Sequence, residues 1–138
     1  MAVFGKAVPV RFEDCDPAGI AFYPRTLMMV NRLIEDFFAE ALDHPWPRLH
    51  RQEQRAVPTV RLEADFTAPL RQGDTLDLEL SVLAIGTSAF TVTVTGAVGG
   101  VRAFAVTQVL ACTTAGPEVV ATPMPDALRR ALERYRAD

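Results

Sequence analysis

Cysteine is nearly absent from this chain. Cys15 and Cys112 are too few for a disulfide framework, which predicts a reduced, cytoplasmic protein. Lysine occurs once, at Lys6, and the net charge of −3 excludes the basic face of a nucleic-acid binder. No run of about 18 apolar residues exists, so no transmembrane helix is expected. The opening Met1-Ala2-Val3-Phe4-Gly5-Lys6 lacks the basic, apolar and cleavage regions of a secretory signal. The two histidines, His44 and His50, are separated by Pro45 and Pro47, and no clustered cysteine or carboxylate completes a zinc set. Gly73 and Gly99-Gly100 have neither P-loop nor dinucleotide spacing. With no repeat or linker to divide it, the chain predicts one domain over residues 1–138.

What is present reads as an ordered series of elements. Val8, Val10 and Phe12 alternate against Ala7, Pro9 and Arg11, predicting a strand over 3–13. Asp16-Pro17-Ala18-Gly19 is a turn with proline and glycine at favoured positions. A helix follows over about 24–42, entered through Pro24, with Leu27, Val30, Ile34, Phe37, Phe38, Ala41 and Leu42 at helical spacing. Met28, Met29 and Leu33 widen its apolar stripe, so few sides are left for water and a sheet is expected to wrap it. Residues 43–57 connect, with a short helix near 47–54.

Strands then dominate. Val60, Leu62, Ala64 and Phe66 alternate with Arg61, Glu63, Asp65 and Thr67. After a turn at Gly73-Asp74, Leu76, Leu78, Leu80 and Val82 share a face. Beyond Gly86, Phe90, Val92 and Val94 lie opposite Thr91, Thr93 and Thr95. Gly99-Gly100 signals a hairpin into a strand over roughly 101–113. Pro123 and Pro125 precede a last helix at about 125–136. The order predicts an α+β fold: a long central helix against a five- to six-stranded antiparallel sheet, plus a C-terminal helix.

The chemistry concentrates at Asp14-Cys15-Asp16. Both aspartates suit local turn capping. Asp16 also suits a general base or nucleophile aimed at a helix start, where a carbonyl oxygen can rest on backbone amides. A carboxylate nucleophile works best on an activated acyl group such as a thioester. Cys15 is a rival nucleophile, with His44 or His50 as its base, although neither histidine sits in a catalytic signature. Glu35, if buried, would be a second acid. Trp46 between two prolines reads as a packing anchor or a pocket wall.

The run Phe12-Glu13-Asp14-Cys15-Asp16-Pro17-Ala18-Gly19-Ile20-Ala21-Phe22-Tyr23-Pro24 resembles the active-site segment of the 4-hydroxybenzoyl-CoA thioesterase family of hotdog-fold acyl-CoA thioesterases. Weaker similarity covers Pro45-Trp46, Val57-Pro58 and Gly73-Asp74. The resemblance implies a thioesterase that hydrolyses an acyl-CoA or aroyl-CoA to free acid and CoA. Asp16 would be the catalytic carboxylate, as nucleophile or general base, and the backbone N–H of Tyr23 would polarise the thioester carbonyl. Gly19 would allow close approach of the substrate, and Trp46 would line the acyl pocket. No metal or redox cofactor is implied. The chain is expected to form a homo-oligomer, a dimer pairing to a tetramer, with active sites at the subunit interface and no nucleic-acid or membrane partner.

Two departures stand out. Where the most similar family enzyme has a basic run that grips CoA phosphates, this chain has Gly86-Thr87-Ser88, leaving Arg61, Arg71, Arg102, Arg129 or Arg130 for that task. Arg25, Thr26 and Leu27 replace the usual asparagine and aromatic residue after Tyr23-Pro24. An acyl carrier protein as carrier, a non-catalytic acyl-thioester binding scaffold, and a hotdog hydratase or dehydratase are the alternatives; the last would need a histidine beside a carboxylate.

Overall fold

A computed structural model describes residues 2–137. Five strands form one antiparallel sheet: β1 (Phe4–Pro9), β3 (Thr59–Phe66), β4 (Thr75–Ile85), β5 (Ala89–Val98) and β6 (Val101–Ala111), in the order β1-β4-β5-β6-β3. The short β2 (Arg55–Ala56) pairs separately with β7 (Thr113–Thr114). The long helix α1 (Tyr23–Asp36) packs on one face of the sheet, α2 (Trp46–Arg51) follows it, and α3 (Asp126–Glu133) lies near the C-terminus. This is the α+β hotdog arrangement expected from the sequence.

Strand alternation decides the faces. On β4, Leu76, Leu78, Leu80 and Val82 are buried, as are Phe90, Val92 and Val94 on β5. α1 turns Thr26, Met29, Val30, Leu33 and Ile34 onto them. The sheet does not enclose α1 on all sides: Met28, Asn31, Arg32 and Glu35 face outward, so Glu35 is no buried acid. The broad apolar stripe overstated the wrapping because Met28, 44% exposed, spends its side chain at the surface.

The α-helix also ends sooner than its pattern. From Phe37 to Ala41 the chain widens into a single π-type turn, and the consecutive Phe37 and Phe38 are both fully buried. Phe37 packs against Phe4 and Tyr135, while Phe38 meets Trp46 and Phe90. Truncating either ring to alanine is worth about 3–5 kcal/mol. Lys6 of β1 spans the same turn, with Nζ 3.1 Å from Asp36 Oδ2 and 2.6 Å from Glu40 Oε2.

The first strand stops at Pro9 rather than residue 13. Val10 exchanges backbone bonds with Gly73 and Asp74, then a short helical turn spans Phe12–Asp14. That turn throws Phe12 out to solvent at 78% exposure, ending the alternation its position had suggested.

Candidate active site

The chain between β1 and α1 folds into a miniature hairpin. Cys15 pairs with Ala21, Asp16 N–H donates to Ile20 O at 2.9 Å, and Phe22 N–H donates to Asp14 O at 2.8 Å. Residues 17–19 close it as a three-residue loop: Gly19 N–H donates to Asp16 O at 2.9 Å, and Gly19 itself sits at φ +82°. A Cβ on Gly19 would meet nothing within 4 Å, so backbone conformation, not crowding, requires glycine there. Gly19 does not line the cavity described below within this protomer.

The two aspartates divide their labour. Asp14 is buried, and its carboxylate accepts the Arg11 N–H at 2.9 Å, which caps the short helical turn. Asp16 is half-exposed; its Oδ1 accepts the Ala18 N–H at 2.9 Å, and Oδ2 has no hydrogen-bond partner among the described residues. One carboxylate caps the helical turn that precedes the hairpin, and the other is left with an oxygen free of hydrogen bonds to other described residues.

Asp16 lines a cavity of about 640 Å³, bounded also by Tyr23, Thr26, Phe66, Leu70 and Phe104 among others. α1 opens onto it. Phe22 N–H is taken by Asp14, Pro24 has no N–H, and Arg25 N–H donates to Phe22 O at 2.8 Å. Tyr23 N–H alone in that turn has no acceptor among the described residues. A helix-start donor and a carboxylate thus meet in one space, an arrangement suited to holding a carbonyl oxygen while an acid or its water attacks the carbon.

The walls are aromatic. Tyr23 meets Phe22 at 5.6 Å and Phe66 at 6.3 Å between ring centroids, and Phe66 lies 6.5 Å from Phe104. Phe66 and Phe104 do not stand out as site residues in the sequence. The signal available was positional: Phe66 ends an edge strand directly before Thr67-Ala68-Pro69-Leu70, the loop that returns to the hairpin through Ala21 N–H and Leu70 O at 2.8 Å.

Trp46 is elsewhere in the protomer. It packs on Phe38 and lines a separate recess of about 270 Å³ with Asn31, His50 and Thr59, and its buried indole N–H has no acceptor among the described residues. The cysteine alternative finds its groups already engaged. Cys15 Sγ lies 3.6 Å from Arg11 O, the His44 ring bonds Leu42 O at 2.7 Å, and His50 sits beside Trp46. Among the described residues no group of cysteine, histidine and carboxylates is spaced to hold a metal, and no helix is long and apolar enough to cross a membrane.

The candidate arginines also separate. Arg61 pairs with Glu63 along β3, and Arg129 donates to Gly86 O and Thr87 O at 2.6 and 3.3 Å. Arg71 and Arg102 neighbour the cavity residues Leu70 and Ala103 in the chain, and their guanidinium groups make no hydrogen bond to other described residues.

The sequence pattern of the thioesterase-like superfamily matches residues 10–132. A 1,4-dihydroxy-2-naphthoyl-CoA hydrolase of Prochlorococcus marinus (strain MIT 9515) is 31% identical over 87 residues, covering 60% of this chain and 58% of that protein. The chain therefore spans under two thirds of this curated relative. A thioesterase-superfamily structure from Jannaschia sp. CCS1 superposes with a TM-score of 0.90 at 29% identity, over 99% of this chain and 95% of that one. A 4-hydroxybenzoyl-CoA thioesterase variant complexed with 4-hydroxybenzoyl-CoA gives a TM-score of 0.88 over 94% and 98% of the chains; at 17% identity it shares the fold.

Proposed function

Because this chain belongs to the thioesterase-like superfamily, we propose that it hydrolyses an acyl-CoA or aroyl-CoA thioester to the free carboxylic acid and CoA, with Asp16 as nucleophile or general base. One observation carries the reading: Asp16, with a carboxylate oxygen free of hydrogen bonds to other described residues, and Tyr23, whose N–H has no acceptor among them, line a single, largely apolar cavity.

The chemistry needs few parts. The thioester carbonyl oxygen accepts the Tyr23 N–H, which stabilises the negative charge that develops on it. As a nucleophile, Asp16 adds to the carbonyl carbon, the carbon–sulfur bond breaks, and CoA leaves as thiolate. Water then opens the resulting mixed anhydride, restoring the carboxylate. As a general base, Asp16 instead removes a proton from the attacking water. Both routes consume one water and release one acid and one thiol. The relative from Prochlorococcus marinus is named for hydrolysis of an aroyl-CoA, which supports the CoA thioester class here.

The second part of the proposal is a dimer joined along β3. This strand is an eight-residue edge with Val60 61% and Leu62 40% exposed, the kind of edge that natural sheets cover or pair. Antiparallel pairing of two β3 strands about a two-fold axis brings the Phe66 end of one beside the Thr59 end of the other. The Asp16 cavity adjoins Phe66 and the Trp46 recess adjoins Thr59. In such a dimer Trp46 of the partner subunit completes the substrate site, although within one protomer it lies outside the Asp16 cavity. Arg71 and Arg102, which adjoin the cavity residues Leu70 and Ala103 along the chain and have no ion pair among the described residues, are the cations offered to the carrier's phosphates.

A panel of acyl- and aroyl-CoA thioesters with free-thiol detection tests this directly. Asp16→Asn keeps an oxygen to accept the Ala18 N–H, so it is expected to fold normally and lose turnover of the best substrate by about 100-fold or more. Turnover at the wild-type rate removes Asp16 from the chemistry. Single turnover in oxygen-18 water separates the routes, since label entering the Asp16 carboxylate marks the anhydride.

A further inference from the structure

The back wall of the Asp16 cavity is a ring whose position depends on a glycine two strands from the edge. Across the sheet, Phe66 of β3 pairs with Phe104 of β6, Phe104 pairs with Gly96 of β5, and Gly96 pairs with Leu78 of β4. Directly paired residues share a face, so all four side-chain positions look toward α1. Phe104 is 1% exposed and still lines the cavity. Its ring lies over Gly96: a Cβ built on that glycine would stand 2.2 Å from Phe104 Cε2, 2.4 Å from Cζ and 2.9 Å from Cδ2.

Gly96 has no positive φ that would demand glycine. It is absent of side chain for space alone, and the occupant of that space is the Phe104 ring. Leaning over β5, the ring vacates room on the β3 side, where the cavity lies. On the far side of the row, Leu78 floors a second recess of about 210 Å³ beneath α1.

We propose that Gly96 is a positioning residue for substrate selection: by drawing the Phe104 ring over β5 it sets the depth of the acyl cavity and so the length of the acyl group it accepts. Phe66, Leu70, Ala103 and Phe104 give the cavity an apolar lining, to which the buried Thr26 of α1 adds a hydroxyl. The Thr67 hydroxyl is 3.2 Å from Arg102 O, already placed to donate within the protein. This inference rests on the thioesterase reading and adds the residue that fixes acyl length.

Gly96→Ala tests it. The added methyl leaves the ring no place over β5, and the adjacent void that can receive it is the cavity. Against straight-chain acyl-CoAs from acetyl to decanoyl, together with benzoyl-CoA, the variant is expected to keep kcat on its shortest good substrate. Its kcat/KM for longer chains falls by about 10-fold or more relative to that substrate, the scale of discrimination by a few methylenes. Phe104→Leu alone extends the accepted length, and Gly96→Ala with Phe104→Leu restores long-chain turnover. A merely structural role for Gly96 lowers all substrates alike, and a profile of unchanged shape overturns the proposal. If Gly96→Ala does not fold, the Phe104→Leu profile decides: extended length upholds the proposal and unchanged length overturns it. Failure of the wild type to release thiol from any substrate strikes the thioesterase reading instead. Calorimetric binding of non-hydrolysable S-hexyl- and S-decyl-CoA then still reads the cavity, because selective loss of the decyl ligand in Gly96→Ala supports its depth and equal binding refutes it.

Discussion

Phe22 donates its N–H to the carbonyl of Asp14 at 2.8 Å, and that bond fixes the start of α1 against the hairpin that carries Asp16. The donor at Tyr23 and the acid at Asp16 are therefore referenced to one another through backbone, not through flexible side chains. Precision of this kind is what a preorganised oxyanion site requires.

Tyr23 is expected to act through its main chain. Tyr23→Pro deletes the N–H at a first-turn position that tolerates proline, while Tyr23→Ala deletes only the ring. Relative to Tyr23→Ala, the proline variant should lose about 100- to 1000-fold in kcat, with little change in KM. Equal rates for the two variants in steady-state assays would assign the carbonyl to another donor.

Asp14 and Asp16 should separate stability from activity. Asp14→Ala removes a buried, charge-assisted bond to Arg11 N–H and is expected to cost about 1.5–3 kcal/mol in urea unfolding. Asp16→Ala loses a bond at the surface of a turn and should cost about 1 kcal/mol or less while abolishing turnover. The opposite ranking in denaturant titrations would invert the roles given to the two carboxylates.

The β3 edge should govern assembly. Charging it with Val60→Lys and Leu62→Lys together is expected to convert the proposed dimer to a monomer by light scattering. Thioesterase activity should fall with it, because the site then lacks the partner's Trp46. A monomeric variant with full activity would place the whole site within one protomer.

The hydrogen bond from Lys6 to Glu40, then that to Asp36, raises the lysine above its ordinary value of 10.5. A raised folded-state value means that the charged lysine stabilises the fold fully below about pH 10.5, and that this contribution fades as pH rises through the folded-state value. Lys6→Met should therefore be less stable than the wild type at pH 7, and the gap should narrow above pH 10.5. A gap constant with pH would show that the loss is packing, not charge.

Much of this molecule could be read from its sequence. Period-2 alternation located β3 to β6 because each strand has one dry face, and Gly99-Gly100, at φ +57° and +80°, turned the hairpin between β5 and β6. The Asp16 loop was legible because its proline and glycine dictate backbone conformation locally. Other features were not. Phe12 continued the alternation, yet the Asp14 cap bent the chain away. The π-type turn at Phe37 was hidden because two adjacent phenylalanines fit a wide helical stripe as well as a local widening. The pairing of β2 with β7 joins two-residue segments 57 positions apart, too short to carry a period. Gly96 carries no signal of its own in the sequence, since its importance lies in what Phe104 does on the neighbouring strand.

Arg129 reaches back 43 residues to seat its guanidinium on the carbonyls of Gly86 and Thr87. A turn that is electrically blank when spelled out in one dimension thus borrows a cation from a distant helix. Tallying charges by their place along the polypeptide would leave that corner neutral, whereas in space it holds a cation that braces the turn.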